Sequence, residues 1–220
     1  MTYSILARDA ETGALGGAAA TGSLCVGGWV LRGDSVCGLS ASQGAAPSTF
    51  WGEDVLAAMR EGEEPAAAVA RITGADRGRD WRQLSALDRQ GRTAAFTGDS
   101  NTRWRGSVID RDLVVAGNLL VGPEVLEAVL EGYRSATGGF AERLIAALAA
   151  GETVGGDSRG LQSAALLVVS DDAPPLTLRV DWAEAPVQSL QALYQRTRDP
   201  SYATWLPTVP TRADRERGHG

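Results

Sequence analysis

The sequence predicts an α+β fold, a four-layer αββα sandwich of two mainly antiparallel sheets. Two observations point to it. Hydrophobic periodicity along the 220 residues reads as strands, two helices, strands, two helices, strands and a helix, so each group of strands has helices to cover one face. Gly16, Gly17, Ala18, Ala19 and Ala20 fall together in one β-like run, the composition of a strand against which another backbone packs closely. Two sheets face to face with helices outside them is the economical solution; an α+β domain with a single sheet is the alternative that periodicity leaves open.

Residues 3–7 read as a strand, and Glu11-Thr12-Gly13 as the turn into a second, 15–21. Residues 26–31 and 35–42 continue the β pattern around a turn at Arg32-Gly33-Asp34. Polar Ser42-Gln43-Gly44 and then Pro47 close this region. A helix is expected over 51–59, and Pro65 at a first helical position starts another over 66–72. A hairpin of 81–87 with 92–96 turns at 88–91, and 113–116 is a further strand ending at Gly117-Asn118. Val125, Leu126, Val129, Leu130 and Tyr133 form one apolar face of a helix over 123–133, and a second, 140–150, is stopped by Gly151. The glycine-rich run 155–163 feeds the most apolar strand, 164–169, whose hairpin partner is 176–180. Pro186 opens a last helix carrying Val187, Leu190 and Leu193. Beyond 198 the periodicity fades, so the expected organisation is one domain over 1–198 and a docked or disordered tail over 199–220.

Composition narrows the chemistry. The formal charge of −6 argues against nucleic acid and anionic membrane surfaces as partners. No apolar run reaches the ~18–20 residues of a membrane span, and the first residues lack the pattern of a signal peptide, so the expected setting is cytoplasmic. All 21 basic residues are arginine, which removes Schiff-base lysines and Walker-type phosphate loops. His219 is the one histidine, and it lies in the tail. A Ser-His-Asp triad, a Cys-His dyad and histidine metal sites therefore have no imidazole, and no metal or cofactor is expected. Cys25 and Cys37 lack CxxC spacing and read as small buried side chains. The six scattered tryptophans read as core or subunit contacts, and a homo-oligomer is expected.

Thr2 offers a base that needs no imidazole. Removal of Met1 would leave a threonine whose hydroxyl sits beside a free α-amine, with a reference pKa of ~7.7–8.0. Nucleophile and base then belong to one residue. The plain alternative is that Thr2 merely begins an edge strand.

Several segments together resemble a known family: TYSILARDAETGALG from Thr2, RQLSALDRQGRTAAFTG from Arg82, AGNLLVG from Ala116, AERLIAALAAG from Ala141, GGDSRGLQSAALLVV from Gly155 and LRVDWAEAPVQSL from Leu178. They are similar to the bacterial and archaeal family called domain of unknown function 1028, over nearly all of the chain before the tail. That family is regarded as similar in fold to the N-terminal nucleophile hydrolases, which cleave amides with their first mature residue. The resemblance implies the αββα sandwich and raises Thr2 to a candidate nucleophile, without supplying a substrate. Ala20 to Gly28 and Gly44-Ala45-Ala46-Pro47 depart from the family's usual pattern beside the expected pocket.

Further roles follow from that resemblance together with local sequence. Asn118 is the candidate donor to the oxyanion, its alternative being a strand-ending turn. Asp157 is placed to hold the Thr2 ammonium or hydroxyl, and Arg159 to bind a substrate carboxylate or lower the amine's pKa; a structural ion pair pinning the loop is the alternative. Gln43, Gln83, Gln162 and Ser163 are candidate substrate contacts, with ordinary hydrogen bonding to loops as the competing role. The expected function is a cofactor-independent hydrolase of an amide bond in a small molecule or peptide. The alternative is an inactive binding or scaffold protein on the same fold.

Overall fold

The computed structural model describes residues 2–218. Met1, on whose removal the Thr2 chemistry depends, and His219 lie outside the described residues. In chain order the elements are β1 (Thr2–Arg8), β2 (Leu15–Thr21), α1 (Val26–Trp29), β3 (Leu31–Asp34), β4 (Gly38–Gly44), α2 (Thr49–Arg60), α3 (Pro65–Gly74), β5 (Arg82–Asp88) and β6 (Thr93–Thr97). They continue with β7 (Gly106–Asp110), β8 (Leu113–Asn118), α4 (Glu124–Ser135), α5 (Phe140–Thr153), β9 (Ser163–Val169), β10 (Leu176–Val180), α6 (Pro186–Arg196) and α7 (Pro200–Trp205).

Side chains of β1 alternate between two apolar environments, and this explains its position. Tyr3, Ile5 and Ala7 join one core, Leu6 joins another, and every residue from Thr2 to Ala7 is buried. A strand apolar on both faces belongs at the centre of a covered sheet. Accordingly β1 lies between β2 and β8 in a six-stranded antiparallel sheet ordered β10-β9-β2-β1-β8-β7. The second sheet, β3-β4-β5-β6, is also antiparallel.

Three cores separate four layers. Tyr3, Ile5, Val115 and Leu166 on one face of the larger sheet pack on Val129, Leu144, Leu148 and Leu190 of α4, α5 and α6. Its other face supplies Leu6, Ala19, Val114 and Ala165, which meet Leu39, Ala41 and Leu87 of the second sheet. Beyond that sheet, Leu84 and Ala86 pack against Trp51, Val55, Val69 and Ile72 of α2 and α3. The αββα sandwich is therefore present, and the single-sheet alternative is excluded. The small residues of β2 make room for side chains rather than for the other backbone expected of them: a Cβ on Gly16 would lie 2.6 Å from Leu144 Cδ1, and one on Gly17 2.8 Å from Leu6 Cδ2.

Three local expectations need correction. The β pattern over 26–31 begins as one helical turn, α1, because Val26 and Val30 bury at i, i+4 spacing and Gly27 lets the turn lie against β9 and β10; a Cβ there would stand 2.8 Å from that of Ala165. Arg32-Gly33-Asp34 is strand rather than turn. The turn follows it, where Asp34 Oδ1 accepts the Val36 N–H at 2.7 Å, an Asx geometry in which the aspartate opens the turn instead of sitting inside it. Strand β7 went unread because it is a sheet edge with little apolar alternation: Ile109 is half exposed, and only Val108 packs toward the helical core. Of the tryptophans, Trp51 is buried and Trp29, Trp81, Trp104, Trp182 and Trp205 stand about half exposed or more. In the region read as a tail, the Ala213 N–H donates to Asp171 O and Arg212 pairs with Asp34 and Asp171.

Leu39 lies at the seam between the sheets with no exposed surface. Leu39→Ala should lower unfolding free energy by about 2–5 kcal/mol in urea titration, through lost transfer energy and a cavity that the flanking sheets cannot close. Trp182→Ala, at an exposed position, should change it by less than about 0.5 kcal/mol.

Candidate active site

Strand pairing puts three hydroxyl- and amide-bearing side chains side by side. The register sets Thr2 opposite Thr21 on β2 and opposite Asn118 on β8. Direct cross-strand partners share a face of the sheet. Here it is the face toward the second sheet, because Ser4 and Leu6 on the same side of β1 reach Gln43 and the inter-sheet core. The Thr2 and Thr21 hydroxyls hydrogen-bond at 3.2 Å. Both line a cavity of about 480 Å³ between the ends of the two sheets, closed by Leu24, Val26, Trp29, Val30 and Pro47 and carrying Ser23, Gln43 and Arg159 on its wall. A larger groove of about 1040 Å³ runs over α2 and α3 and shares Trp29 and Pro47 with it. Two of its three arginines are committed elsewhere, Arg82 to Asp76 and the Ala46 carbonyl and Arg71 to Glu63, and the third is Arg77. The smaller cavity, which holds Thr2, is the chemical candidate.

A chain of buried amides lies behind Thr2. Gln83 Nε2 donates to Thr97 Oγ1, Gly106 O and Gly117 O at 2.8, 2.9 and 3.0 Å. Those carbonyls can only accept, so the Gln83 oxygen must face the other way. It accepts Gln43 Nε2 at 2.7 Å and Asn118 Nδ2 at 3.1 Å. Gln43 Nε2 also reaches Thr2 O at 3.3 Å, and Gln43 Oε1 takes the Ser4 hydroxyl at 2.9 Å. Gln43 thus lines the cavity, whereas Gln83 is a buried organiser one step behind it. Asn118 is fully buried, and its Oδ1 has no hydrogen-bond partner among the described residues. Oδ1 is therefore an acceptor without a partner, while Nδ2, with one of its two N–H bonds on Gln83, keeps a second N–H compatible with the oxyanion-donor role expected of Asn118.

The loop before β9 joins this end of the sheet through Asp157. Its buried carboxylate accepts Gly22 N at 2.7 Å and Arg159 N at 3.0 Å, and takes Arg159 Nε and NH2 at 3.0 and 2.8 Å. Four donors occupy both oxygens, so Asp157 holds Gly22 and Arg159 in place rather than reaching Thr2. Asp157 raises the Arg159 pKa above its ordinary value, chiefly through the side-chain hydrogen bonds, so the guanidinium stays charged. With Nε and NH2 on Asp157, NH1 is the end that reaches Ser23 Oγ, at 3.2 Å. Gln162 Nε2 donates to Gly22 O at 3.1 Å. The Ser163 hydroxyl donates to Ser23 O at 2.7 Å and accepts Val26 N at 3.1 Å. Both tie down the 22–26 segment that forms one cavity wall, and neither lines the cavity.

Sequence reasoning set the Ala20 to Gly28 stretch beside the pocket without singling out Thr21, Ser23 or Leu24, and it missed Ser4 and Trp29. Thr21 was within reach: a hairpin turning at residues 11–13 and pairing Arg8 with Leu15 carries Thr2 to Thr21. Ser4 depends on the second sheet bringing Gln43 to it, and Ser23, Leu24 and Trp29 on where the 22–30 segment folds, which no local pattern records. Among the described residues, no group of three or more His, Cys, Asp or Glu side chains is placed to hold a metal ion, and no helix is long and apolar enough to cross a membrane.

Comparison with known proteins adds a family and two solved structures. A family model described as a family of unknown function, DUF1028, matches residues 2–190. The crystal structure of a Silicibacter pomeroyi protein, titled with the same family, is similar with a TM-score of 0.95 and 51% identity, covering 100% of this chain and 99% of that one. Anbu, an ancestral β-subunit from Yersinia bercovieri, is similar with a TM-score of 0.41 and 10% identity, covering 92% and 97% of the two chains. No curated protein matches.

Replacing Gln83 tests the amide network. Gln83→Leu removes one acceptor and one donor group at once, leaving the Asn118 amide and one N–H of Gln43 without their acceptor and Thr97 Oγ1 and the Gly106 and Gly117 carbonyls without this donor. Chemical denaturation should show a loss of at least about 2 kcal/mol, since each buried polar group left unpaired costs about 1–3 kcal/mol. Thr97→Val, removing one of three acceptors, should cost less.

Proposed function

The chain belongs to the DUF1028 family, and from that premise we propose that it is an amidohydrolase whose nucleophile and base are both supplied by Thr2 once Met1 has been removed. The observation that carries this reading is the position of Thr2: first residue of the central strand, 3% exposed, with its hydroxyl on the wall of a cavity. A residue that merely starts a strand has no need of either the cavity or the polar network behind it. The absence of lysine from the sequence, and of histidine from all but position 219, leaves the Thr2 amine as the base within reach of its own hydroxyl.

Thr2 Oγ1 attacks the substrate carbonyl while its proton passes to the α-amine. The amine returns that proton to the leaving nitrogen as the C–N bond breaks, giving an ester on Thr2. Water then attacks the ester carbonyl, the amine takes the water's proton, and the acid leaves as Oγ1 is reprotonated. Ser23 and the charged Arg159 are the donors that the wall presents to the developing oxyanion. The apolar side chains opposite, Leu24, Val26, Trp29, Val30 and Pro47, suit an acyl group of apolar character, and about 480 Å³ suits a small molecule or the end of a peptide. The half-exposed tryptophans support self-association as part of the proposal, and the free thiols Cys25 and Cys37 suit a cytoplasmic setting.

Intact-mass measurement should show the chain without Met1. Hydrolysis of a panel of amides should favour apolar acyl groups and fall by at least about 10³-fold in Thr2→Ala, with Thr2→Ser retaining much of the rate. Because the amine acts in its neutral form, the rate should drop as pH falls through the amine's pKa, ordinarily ~7.7–8.0. Turnover that survives Thr2→Ala rejects the mechanism. A tight ligand left intact by the wild-type protein would favour a binding protein on the same fold.

A further inference from the structure

Asn118 Oδ1 is an acceptor with no exposed surface around it and no partner among the described residues. Buried polar atoms are nearly always paired, so an acceptor orphaned at the end of this network calls for a partner. Its orientation is not a free choice. Gln83 faces three acceptors with Nε2 and must present Oε1 to Asn118; turning the Asn118 amide over would set two oxygens against each other.

The ladder sets the main-chain nitrogen of Thr2 opposite Asn118. The Arg8 N–H donates to Asp112 O at 2.8 Å, one pair before β8 begins. Antiparallel pairs alternate between exchanging and not exchanging hydrogen bonds, so the pattern recurs at Leu6 with Val114, at Ser4 with Ala116 and at Thr2 with Asn118. The Thr2 nitrogen therefore donates to the Asn118 main-chain oxygen. As part of a peptide bond it has one N–H, and that bond satisfies it. Loss of Met1 turns it into a primary amine with a second N–H to place.

We propose that Asn118 is the positioning residue for the Thr2 α-amine, taking one N–H on its main-chain oxygen and the other on Oδ1. A neutral amine has two N–H bonds and one lone pair. With both bonds held by one residue, the lone pair takes the remaining direction, open to the Thr2 hydroxyl. The inference rests on the reading of Thr2 as nucleophile and base, and it concerns Asn118 Oδ1 alone, leaving the second N–H of Nδ2 to the substrate. The charged groups near the amine are Arg159 on the cavity wall and Asp157, itself held on Arg159 and Gly22 N. Strands β2, β4, β5 and β8 contribute the uncharged Thr21, Gln43, Gln83 and Asn118. Tyr3 projects to the other face, with its hydroxyl on Leu148 O.

The test is the pH titration of the Thr2 α-carbon resonance in mature protein labelled with ¹³C-threonine, which reads the amine without any substrate. An acceptor favours the ammonium, so Asn118→Ala should leave about tenfold more of the amine deprotonated at a given pH below its midpoint. Asn118→Asp keeps Oδ1 and adds negative charge, at the cost of the donor to Gln83 Oε1, so its midpoint should move upward while the fold loses stability. Opposite displacements are not expected of a residue that only supports the fold, and the aspartate variant decides alone if the alanine variant does not fold. Midpoints unchanged from wild type, or displaced in the same direction, overturn the proposal. Turnover lost in Asn118→Ala with the titration unmoved would overturn it while leaving Thr2 as nucleophile. Met1 retained in the mature protein would overturn both.

Discussion

The hydrogen bonds of Gln83 determine how this end of the molecule is built. One side chain reaches from the smaller sheet to the carbonyls of Gly106 and Gly117 in the larger one, and its oxygen gathers the amides of Gln43 and Asn118. Away from Thr2 the sheets are joined by apolar contact among Leu6, Leu15, Leu39, Leu87 and Val114. The sandwich is thus oily along one part of its seam and amide-filled at the other. A buried amide must be satisfied on both its nitrogen and its oxygen, so this end has one hydrogen-bonding solution rather than a range of packings. That uniqueness fixes which atom of Asn118 remains over.

Around this centre the chain places residues that shape the cavity without touching Thr2. Asp157 takes four donors and so joins the start of the β9 loop to Gly22 and Arg159. Ser163 and Gln162 hold the main chain at Gly22, Ser23 and Val26. These contacts let an irregular segment stand as a cavity wall, with its Leu24, Val26 and Trp29 side chains directed by main-chain anchors. The division of labour is chemical: Asp157, Gln83, Gln162 and Ser163 are used up in positioning, and Thr2, Thr21, Ser23, Gln43 and Arg159 line the space.

Much of the fold was legible because periodicity is a local property. The apolar face of α4 from Val125 to Tyr133, the small residues of β2 and the apolar run of β9 each state their burial directly. The failures occurred where tertiary context outweighed local pattern. Gly27 and Gly28 argue against a helix on propensity, yet the absence of a Cβ at Gly27 is what permits α1 to rest on β9. Asp34 and Gly33 look like turn residues, but Gly33 lies beneath Leu39 and Leu167 and belongs to a strand. Strand β7 has one face open and shows too little alternation to be read.

The sequence by itself determined the class of fold, the lack of lysine and of any histidine outside the tail, and the presence of Thr2 at the start of a strand. These are matters of composition and near-neighbour spacing, which a chain carries in any conformation. Only the tertiary structure decided that Asp157 is spent on Arg159, that Gln83 organises rather than lines the cavity, and that Asn118 offers an oxygen. Such roles depend on hydrogen-bond direction, and the bonds of Gln83 with Asn118 and of Asp157 with Gly22 join residues 35 and 135 positions apart in the chain. Direction is set when buried amides must satisfy one another all at once, and no single segment contains that condition.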